Sequence, residues 1–404
     1  MSNPILQSNQ SSAVVATVNE SDVTVPFVYN EKSRLIKPHS LQVLPITSTS
    51  GSTAPQSACS YDVAKNGIAV GFYLEVNLIG LPTNNYKFNA LGILNLIDEV
   101  SLTTSGRVVE KLDAYQIVSR YASLPLARQG ALSVTCGNDE TITTASTKTY
   151  IWLPFYMFRD SARYGILTNF EEPHHVEVKW SKYTQTLVRG TANTSLPQST
   201  IHNNISVTSA NLLVHYKQLA DDDVNEMIRK NYSNGMLSRL VGISKREQSH
   251  YVQGIVSNDT YTESVELHET EAIRGMTVLV THLGELANIT NIKLTFNNTD
   301  VLDVGEDFLH TFASNWDMHS ASFGSHARDE QIHDYKRAVR LDLGIGNDTA
   351  LDNVIALREM NNPRVEVQFD PIRAGEHQIH IIYETATFLT CSADTGRVQL
   401  SISS

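Results

Sequence analysis

The adjacent histidines His174-His175 are residues whose type suggests metal chemistry. Zinc needs imidazole nitrogens that converge on one point. The segment Val176 to Trp180 alternates apolar and polar residues and reads as a strand, where neighbouring side chains point to opposite faces. The two histidines therefore cannot easily share an ion, and they read as a turn leading into a strand. Asp221-Asp222-Asp223 gathers three carboxylates. A calcium loop of the EF-hand type instead spaces its acids at alternate positions, with a glycine at the sixth and a glutamate at the twelfth. Here the acids are consecutive and open a helical pattern, where they favour the positive end of the helix dipole. His310, His319, His326 and His333 follow at intervals of nine, seven and seven residues. Their segment, Asp307 to Lys336, is rich in Asp, Arg and aromatic residues and reads as a long loop at a subunit contact. Histidines titrating near neutral pH would make that contact acid-sensitive.

Other catalytic patterns are incomplete. Gly344-Ile345-Gly346 lacks the third glycine and the strand-to-helix setting of a dinucleotide site. There is no P-loop and no Gly-x-Ser-x-Gly elbow, and the carboxylates are scattered, so no acid–base pair stands out. No catalytic, cofactor-binding or metal-ligating residue is nominated, no cofactor is expected, and the reading is not an enzyme. Cys59, Cys136 and Cys391 are odd in number and widely spaced, which fits free thiols in a reducing compartment better than a disulfide framework. Triplets such as Asn204-Ile205-Ser206 and Asn297-Asn298-Thr299 are expected by chance in a chain rich in Asn, Ser and Thr, and read as unused for glycosylation.

The formal charge of −12 argues against strong direct nucleic-acid binding, which needs a basic face. The densest basic patch is Lys245-Arg246. Met1 to Gln10 lacks the basic and apolar regions of a leader, and the most apolar stretch, Gly67 to Leu81, is too short to span a bilayer and is broken by Glu75 and Asn77. The expectation is a soluble chain made in the cytosol, with no more than peripheral membrane contact.

The positioning elements are strands. Hydrophobic residues make up 41% of the 404 residues and charged residues 18%, a globular balance. Val70, Phe72, Leu74, Val76 and Leu78 alternate with Gly71, Tyr73, Glu75 and Asn77; Val176, Val178 and Trp180 alternate with Glu177 and Lys179; Val365, Val367 and Phe369 alternate with Glu366 and Gln368. This period of two marks half-buried antiparallel strands. Helical patterns are few. One runs from Asp223 to about Tyr232, with Glu226 at capping-box spacing and Asn234-Gly235 as a stop; another runs from about Thr349 to Met360; a short one lies near Asp160 to Leu167. Met1 to Thr24 is polar and reads as a flexible arm.

The strand patterns repeat. Gly71-Phe72-Tyr73-Leu74-Glu75-Val76 answers Gly275-Met276-Thr277-Val278-Leu279-Val280, an offset of 275 − 71 = 204. Val100-Ser101-Leu102-Thr103 answers Ile292-Lys293-Leu294-Thr295 at 192, and each is followed by a polar turn and then Val108-Val109-Glu110 or Val301-Leu302-Asp303. Val176 answers Val365 at 189, and Leu212 to Tyr216 answers Ile379 to Tyr383. Four matches in one order indicate tandem duplication of an all-β domain, with the boundary in a linker helix.

Two similar sandwiches in a chain of this length resemble the double jelly-roll major capsid proteins, with the tectivirus-type coat protein as the nearest likeness and adenovirus hexon as a larger relative. Tyr61-Asp62-Val63 leading into Val70-Gly71-Phe72 looks like the start of the first roll. Thr149 to Phe155 resembles the aromatic strand that runs into a proline, Glu172-Pro173 the following turn, and His215 to Leu219 the closing strand. Ile382-Tyr383-Glu384-Thr385 looks like its equivalent in the second roll. The likeness spans most of Val25 to Leu400 and rests on order and spacing.

The resemblance implies an all-β chain of two tandem eight-stranded jelly-roll β-sandwiches with a few short helices. Its parts would be an arm at 1–24, a first roll at 25–219, a linker helix at 220–244 and a second roll at 245–404. It implies a homotrimer of pseudo-hexagonal outline that tiles an icosahedral shell. The partners would be neighbouring trimers, penton and minor capsid proteins and, through the arm, an internal membrane, although the arm shows no clear amphipathic helix. The chain would be assembled in the host cytoplasm and end in the virion. Loops Leu132 to Lys148 and Thr184 to Asn204 would be outward towers. Competing readings are a carbohydrate-binding or spike protein, for which only Trp316 offers a platform because Trp152 and Trp180 look like core, and a glycoside hydrolase, which lacks paired acids.

Overall fold

A computed structural model describes residues 40–79, 86–88, 91–122, 147–156, 166–168, 173–183, 187–189, 206–218, 236–246, 249–256, 259–269, 271–282, 284–305, 338–343, 354–372, 374–392 and 398–401. Its first half contains strands β1 (Ser40–Thr47), β2 (Ala58–Asp62), β3 (Ile68–Leu78), β4 (Ile97–Thr104) and β5 (Arg107–Leu112). Helix α1 (Ala114–Ala122) follows, then β6 (Thr147–Trp152), β7 (His174–Trp180) and β8 (Val207–Gln218). The second half contains β9 (Met236–Arg246), β10 (Tyr261–Glu266), β11 (Ala272–His282), β12 (Asn288–Phe296), β13 (Thr299–Gly305), β14 (Val339–Asp342), β15 (Arg364–Asp370) and β16 (Gly375–Ser392).

These strands form two pairs of antiparallel sheets. The first half has the orders β1-β8-β3-β6 and β2-β7-β4-β5; the second has β9-β16-β11-β14 and β10-β15-β12-β13. Adding eight to each label of the first pair gives the second. Each half is thus an eight-stranded jelly roll. Short pieces decorate both: Ile166–Leu167 pairs with β3 as Ile355–Ala356 pairs with β11.

Fine detail repeats as well. A bulge leaves Val70 unpaired between Ala69 and Gly71 of β3, and Arg274 unpaired between Ile273 and Gly275 of β11. The bulge explains why Val70 is only partly buried, while Phe72, Leu74, Val76 and Leu78 keep the core parity read from the sequence. The β4–β5 turn puts Ser105 and Gly106 at φ 54° and 73°, and the β12–β13 turn puts Asn297 and Asn298 at φ 54° and 59°. Two consecutive positive φ values match the twist of a tight hairpin.

Three sequence expectations need correction. The linker expected to reach residue 244 ends earlier, because Met236–Arg246 pairs with β16 along eleven residues. The helix expected near Thr349 to Met360 is, in its described part, the strand Ile355–Ala356 followed by a single 3₁₀ turn, Leu357–Glu359. Pairing of Ile355 and Ala356 with β11 overrides the helical spacing. The helix expected near residues 160–167 ends, where described, as the strand Ile166–Leu167. The arm, the helix at 223–232 and nearly all of the tower segments lie outside the described residues. Among the described residues no helix is long and apolar enough to cross a membrane.

One apolar cluster fills the first sandwich, around Phe72, Leu74, Val100, Val176, Trp180 and Leu212. It continues without a break into Val241, Ile243, Ile382 and Leu389 of the second half. A separate cluster around Met276, Val278, Ile292, Val365 and Phe369 fills the second sandwich.

Candidate functional site: the junction of the two sandwiches

The residues singled out for chemistry do not converge. His174 is buried and His175 faces outward, where its Nδ1 lies 2.5 Å from Asp62 Oδ1. Burial, with the neighbouring His175, pushes His174 down to about 4. Cys59 and Cys391 are buried free thiols. Trp180 is buried, and Trp152 stacks on Tyr121 with ring centroids 6.0 Å apart. Among the described residues no group of three or more His, Cys, Asp or Glu could hold a metal. Asp221 to Asp223, the histidines from His310 to His333, Gly344-Ile345-Gly346, Cys136 and Trp316 lie outside the described residues.

What the fold does bring together is a polar lock between its halves. Helix α1 opens with a reciprocal cap: Gln116 N–H donates to Asp113 Oδ1 at 2.8 Å, and Asp113 N–H donates to Gln116 Oε1 at 2.9 Å. Ile117, Val118 and Tyr121 are buried, and so are Gln116, Ser119 and Arg120. The helix is buried on both sides because it is wedged between the sandwiches. Its Gln116 donates to Ser244 O of β9 at 2.9 Å, while Ser244 N–H donates to Glu110 Oε1 of β5 at 3.3 Å. The other Glu110 oxygen accepts from Tyr156 N–H at 2.7 Å.

Deeper in the junction, Glu384 of β16 lies between Arg120 of the first half, at 2.9 Å, and Arg340 of the second, at 2.5 Å. Burial alone would push the Glu384 carboxyl up. The charges of Arg120, Arg340 and Arg274 outweigh it and hold the carboxyl well below the ordinary range. Gly242 of β9 leaves room for this carboxylate, since a Cβ there would sit 2.5 Å from Glu384 Oε1. On the outer side Tyr115 stacks on His380 at 4.0 Å, and Arg246 pairs with Asp113 at 2.7 Å. Burial raises Asp113, against the pull of Arg246. A cleft of about 410 Å³ opens here, lined in part by Asp98, Glu99, Lys111, Asp113, Lys182 and Arg246. The arrangement holds two domains in one orientation; the hydroxyls of Ser249 and Thr281 lie 2.9 and 2.8 Å from the two ring nitrogens of His380.

Sequence reasoning missed this junction. Two signals were present: Asp113 and Gln116 have capping spacing, and Ile379 to Tyr383 is a continuous run rather than an alternating one, the mark of a strand buried on both faces.

No protein-family model and no curated protein matches the sequence. Solved structures do. PBCV-1 VP54, fitted into a cryo-EM reconstruction of the virophage Sputnik, superimposes with a TM-score of 0.62 at 9% identity, covering 91% of this chain and 98% of that one. The Faustovirus major capsid protein gives 0.57 at 8% identity, covering 87% and 90%. The mavirus major capsid protein gives 0.51 at 10% identity, covering 89% and 90%. Identities this low speak to architecture, and on architecture they agree with the strand orders: the chain has the fold of the double jelly-roll major capsid proteins.

Proposed function

We propose that this chain is the major coat protein of an icosahedral virus and acts by self-association, not by catalysis. One observation carries the reading: two copies of one jelly roll are locked rigidly side by side, in a fold shared along nearly the whole length with viral coat proteins. Three such chains supply six similar lobes, so a threefold trimer gains the near-hexagonal outline that tiles a flat facet. The parts are an arm at 1–24, a first roll at 25–219, a linker that ends before Met236, and a second roll from there. Partners are other copies, penton and minor capsid proteins, and an internal membrane reached by the arm. With a charge of −12 and no basic run, the chain does not bind the genome strongly. Assembly takes place in the host cytoplasm and the product resides in the virion.

Sedimentation and negative-stain imaging of the purified chain test this. A trimer of six-lobed outline with threefold symmetry is expected, held by the large apolar contacts of obligate assemblies. A stable monomer at micromolar concentration would refute it.

A further inference from the structure

The duplication lets each layer of one core be set beside its copy. The end layer of the first sandwich is Leu78 of β3 paired with Val207 of β8, both buried. The offset of 204 carries Leu78 to His282, the last residue of β11. Thr281 pairs with Gln378 as Asn77 pairs with Ser209, so the next position along sets His282 opposite His377 of β16. An apolar pair in one copy is thus a pair of imidazoles in the other. Both are buried, His282 at 9% exposure and His377 at 0%.

The two rings stack with centroids 4.7 Å apart, and Phe369 of β15 lies 5.6 Å from His377. His282 Nδ1–H donates to Glu376 O at 2.9 Å and His377 Nδ1–H to Gly375 O at 3.4 Å, because a carbonyl can only accept. Nε2 is then the atom that would take a second proton. In His377 it is buried and meets no hydrogen-bond partner among the described residues. A proton there would create a buried donor without an acceptor, and a charge against a second imidazole. Burial holds His377 below the ordinary 6.5; the Gly375 carbonyl pulls it up and His282 pushes it down, and burial prevails.

The other titratable groups nearby are engaged elsewhere. Glu285 lies opposite His282 in a short hairpin, on the side away from His377. His250 is 2.9 Å from Glu263. His380 is on the other face of β16, with both ring nitrogens on hydroxyls. Glu376 alternates to that face as well. From β15 comes Phe369, while the next carboxylate, Asp370, accepts from the Thr260 hydroxyl. What His377 holds is the short strand His250–Ile255, through Val252. That strand pairs with β16 alone among the described residues, and its register shifts before Ile255, with Gly254 at φ 77°.

We propose that this layer is an acid-operated latch: protonation of the His282–His377 pair frees the strand His250–Ile255 from β16, while the first roll, with Leu78 and Val207 in the same place, stays closed. The opening is local and lies below global unfolding in free energy. It gives one lobe a response to mild acid that its copy lacks, and it does not depend on the coat-protein reading.

The test is hydrogen exchange of the full chain, read by mass spectrometry at pH 7 and pH 5 and divided by the intrinsic rates. One refused proton should lower the protection of residues 250–255 several-fold, and by at most about 25-fold over that interval. Because the opening exposes little surface, low urea should not speed this exchange, whereas β8 of the first roll should respond to urea as global unfolding does. His282→Leu with His377→Val installs the first roll's own pair and should abolish the urea-insensitive loss; if that variant does not fold, His377→Met alone should do the same. His380→Gln, which removes the other buried ring of this strand, should leave the loss in place. Protection at 250–255 that is equal at the two pH values overturns the latch. So does a loss that persists without the pair, that vanishes with His380→Gln, or that follows urea with the slope of β8.

Discussion

Mild acid should weaken the folded chain through two buried histidines. The ordinary histidine value is 6.5; burial and the adjacent His175 push His174 down to about 4, and burial and Arg246 push His380 down to about 3. Between those values the unfolded chain takes up a proton that the folded chain refuses. The stability is therefore complete above 6.5 and is lost as pH falls toward the folded values. Going from neutral pH to about pH 5, linkage gives a loss of about 2 kcal/mol for each histidine, or roughly 4 kcal/mol for the pair. His215 and His377, also lowered by burial, add in the same direction. The carboxylates held low are silent in this window. Despite some burial, Glu75 and Glu99 are kept low by their lysine partners, and Glu384 by its arginines, so they lose stability only below their ordinary 4.5. Asp113, raised by burial, has the opposite sign, but it is common to wild type and variant and cancels in their comparison. The assay is urea unfolding followed by tryptophan fluorescence at fixed protein concentration, at neutral pH and near pH 5. His174→Gln and His380→Gln should each reduce the acid loss by about 2 kcal/mol. Variants that lose as much stability as wild type would refute the assignment of the proton uptake to these rings.

Three further outcomes follow from the junction and its surroundings. Glu384→Gln leaves Arg120 and Arg340 buried against a neutral amide and should cost about 3–5 kcal/mol at neutral pH, read from the urea midpoint. Gly242→Ala places a Cβ 2.5 Å from Glu384 Oε1 and should cost about 1–3 kcal/mol; combined with Glu384→Gln the two losses should fall short of their sum, since both act on one carboxylate. Lys111→Ala removes only a half-exposed pair with Glu99 at 3.2 Å and should change the midpoint by less than about 1 kcal/mol.

The duplication was legible because a period of two survives changes in loop length. The offsets of 204, 192 and 189 hold residue for residue in β3 and β11, β4 and β12, and β7 and β15. Two matches slipped. Matching Tyr216 to Tyr383 by residue type is two residues off; through their partners Ala69 and Ile273, Tyr216 corresponds to Thr385. Matching Val108 to Val301 is one residue off: Val108 pairs with Thr103 and Asp300 with Thr295, so Val109 is the counterpart of Val301. Helix α1 escaped notice because Gln116, Ser119 and Arg120 are buried along with its apolar residues, so no clean stripe remains. The start of β9 was hidden for the same reason: Val241 to Ser244 are buried on both faces and do not alternate. The triad of Arg120, Arg340 and Glu384 is three lone charges in different elements, and only tertiary packing makes them one site.

The polar groups at the junction, set beside the apolar cluster that runs through it, follow from what that contact must do. The rolls of one chain are tethered, so their docking costs little translational freedom, and the contact is left to set orientation. Polar groups suit that role, because their hydrogen bonds are directional. Glu110 and Gln116 fix the Ser244 backbone at both its N–H and its C=O, and Glu384 accepts only one placement between two guanidinium groups. Desolvating those charges limits their net contribution, which matters less for a tethered pair.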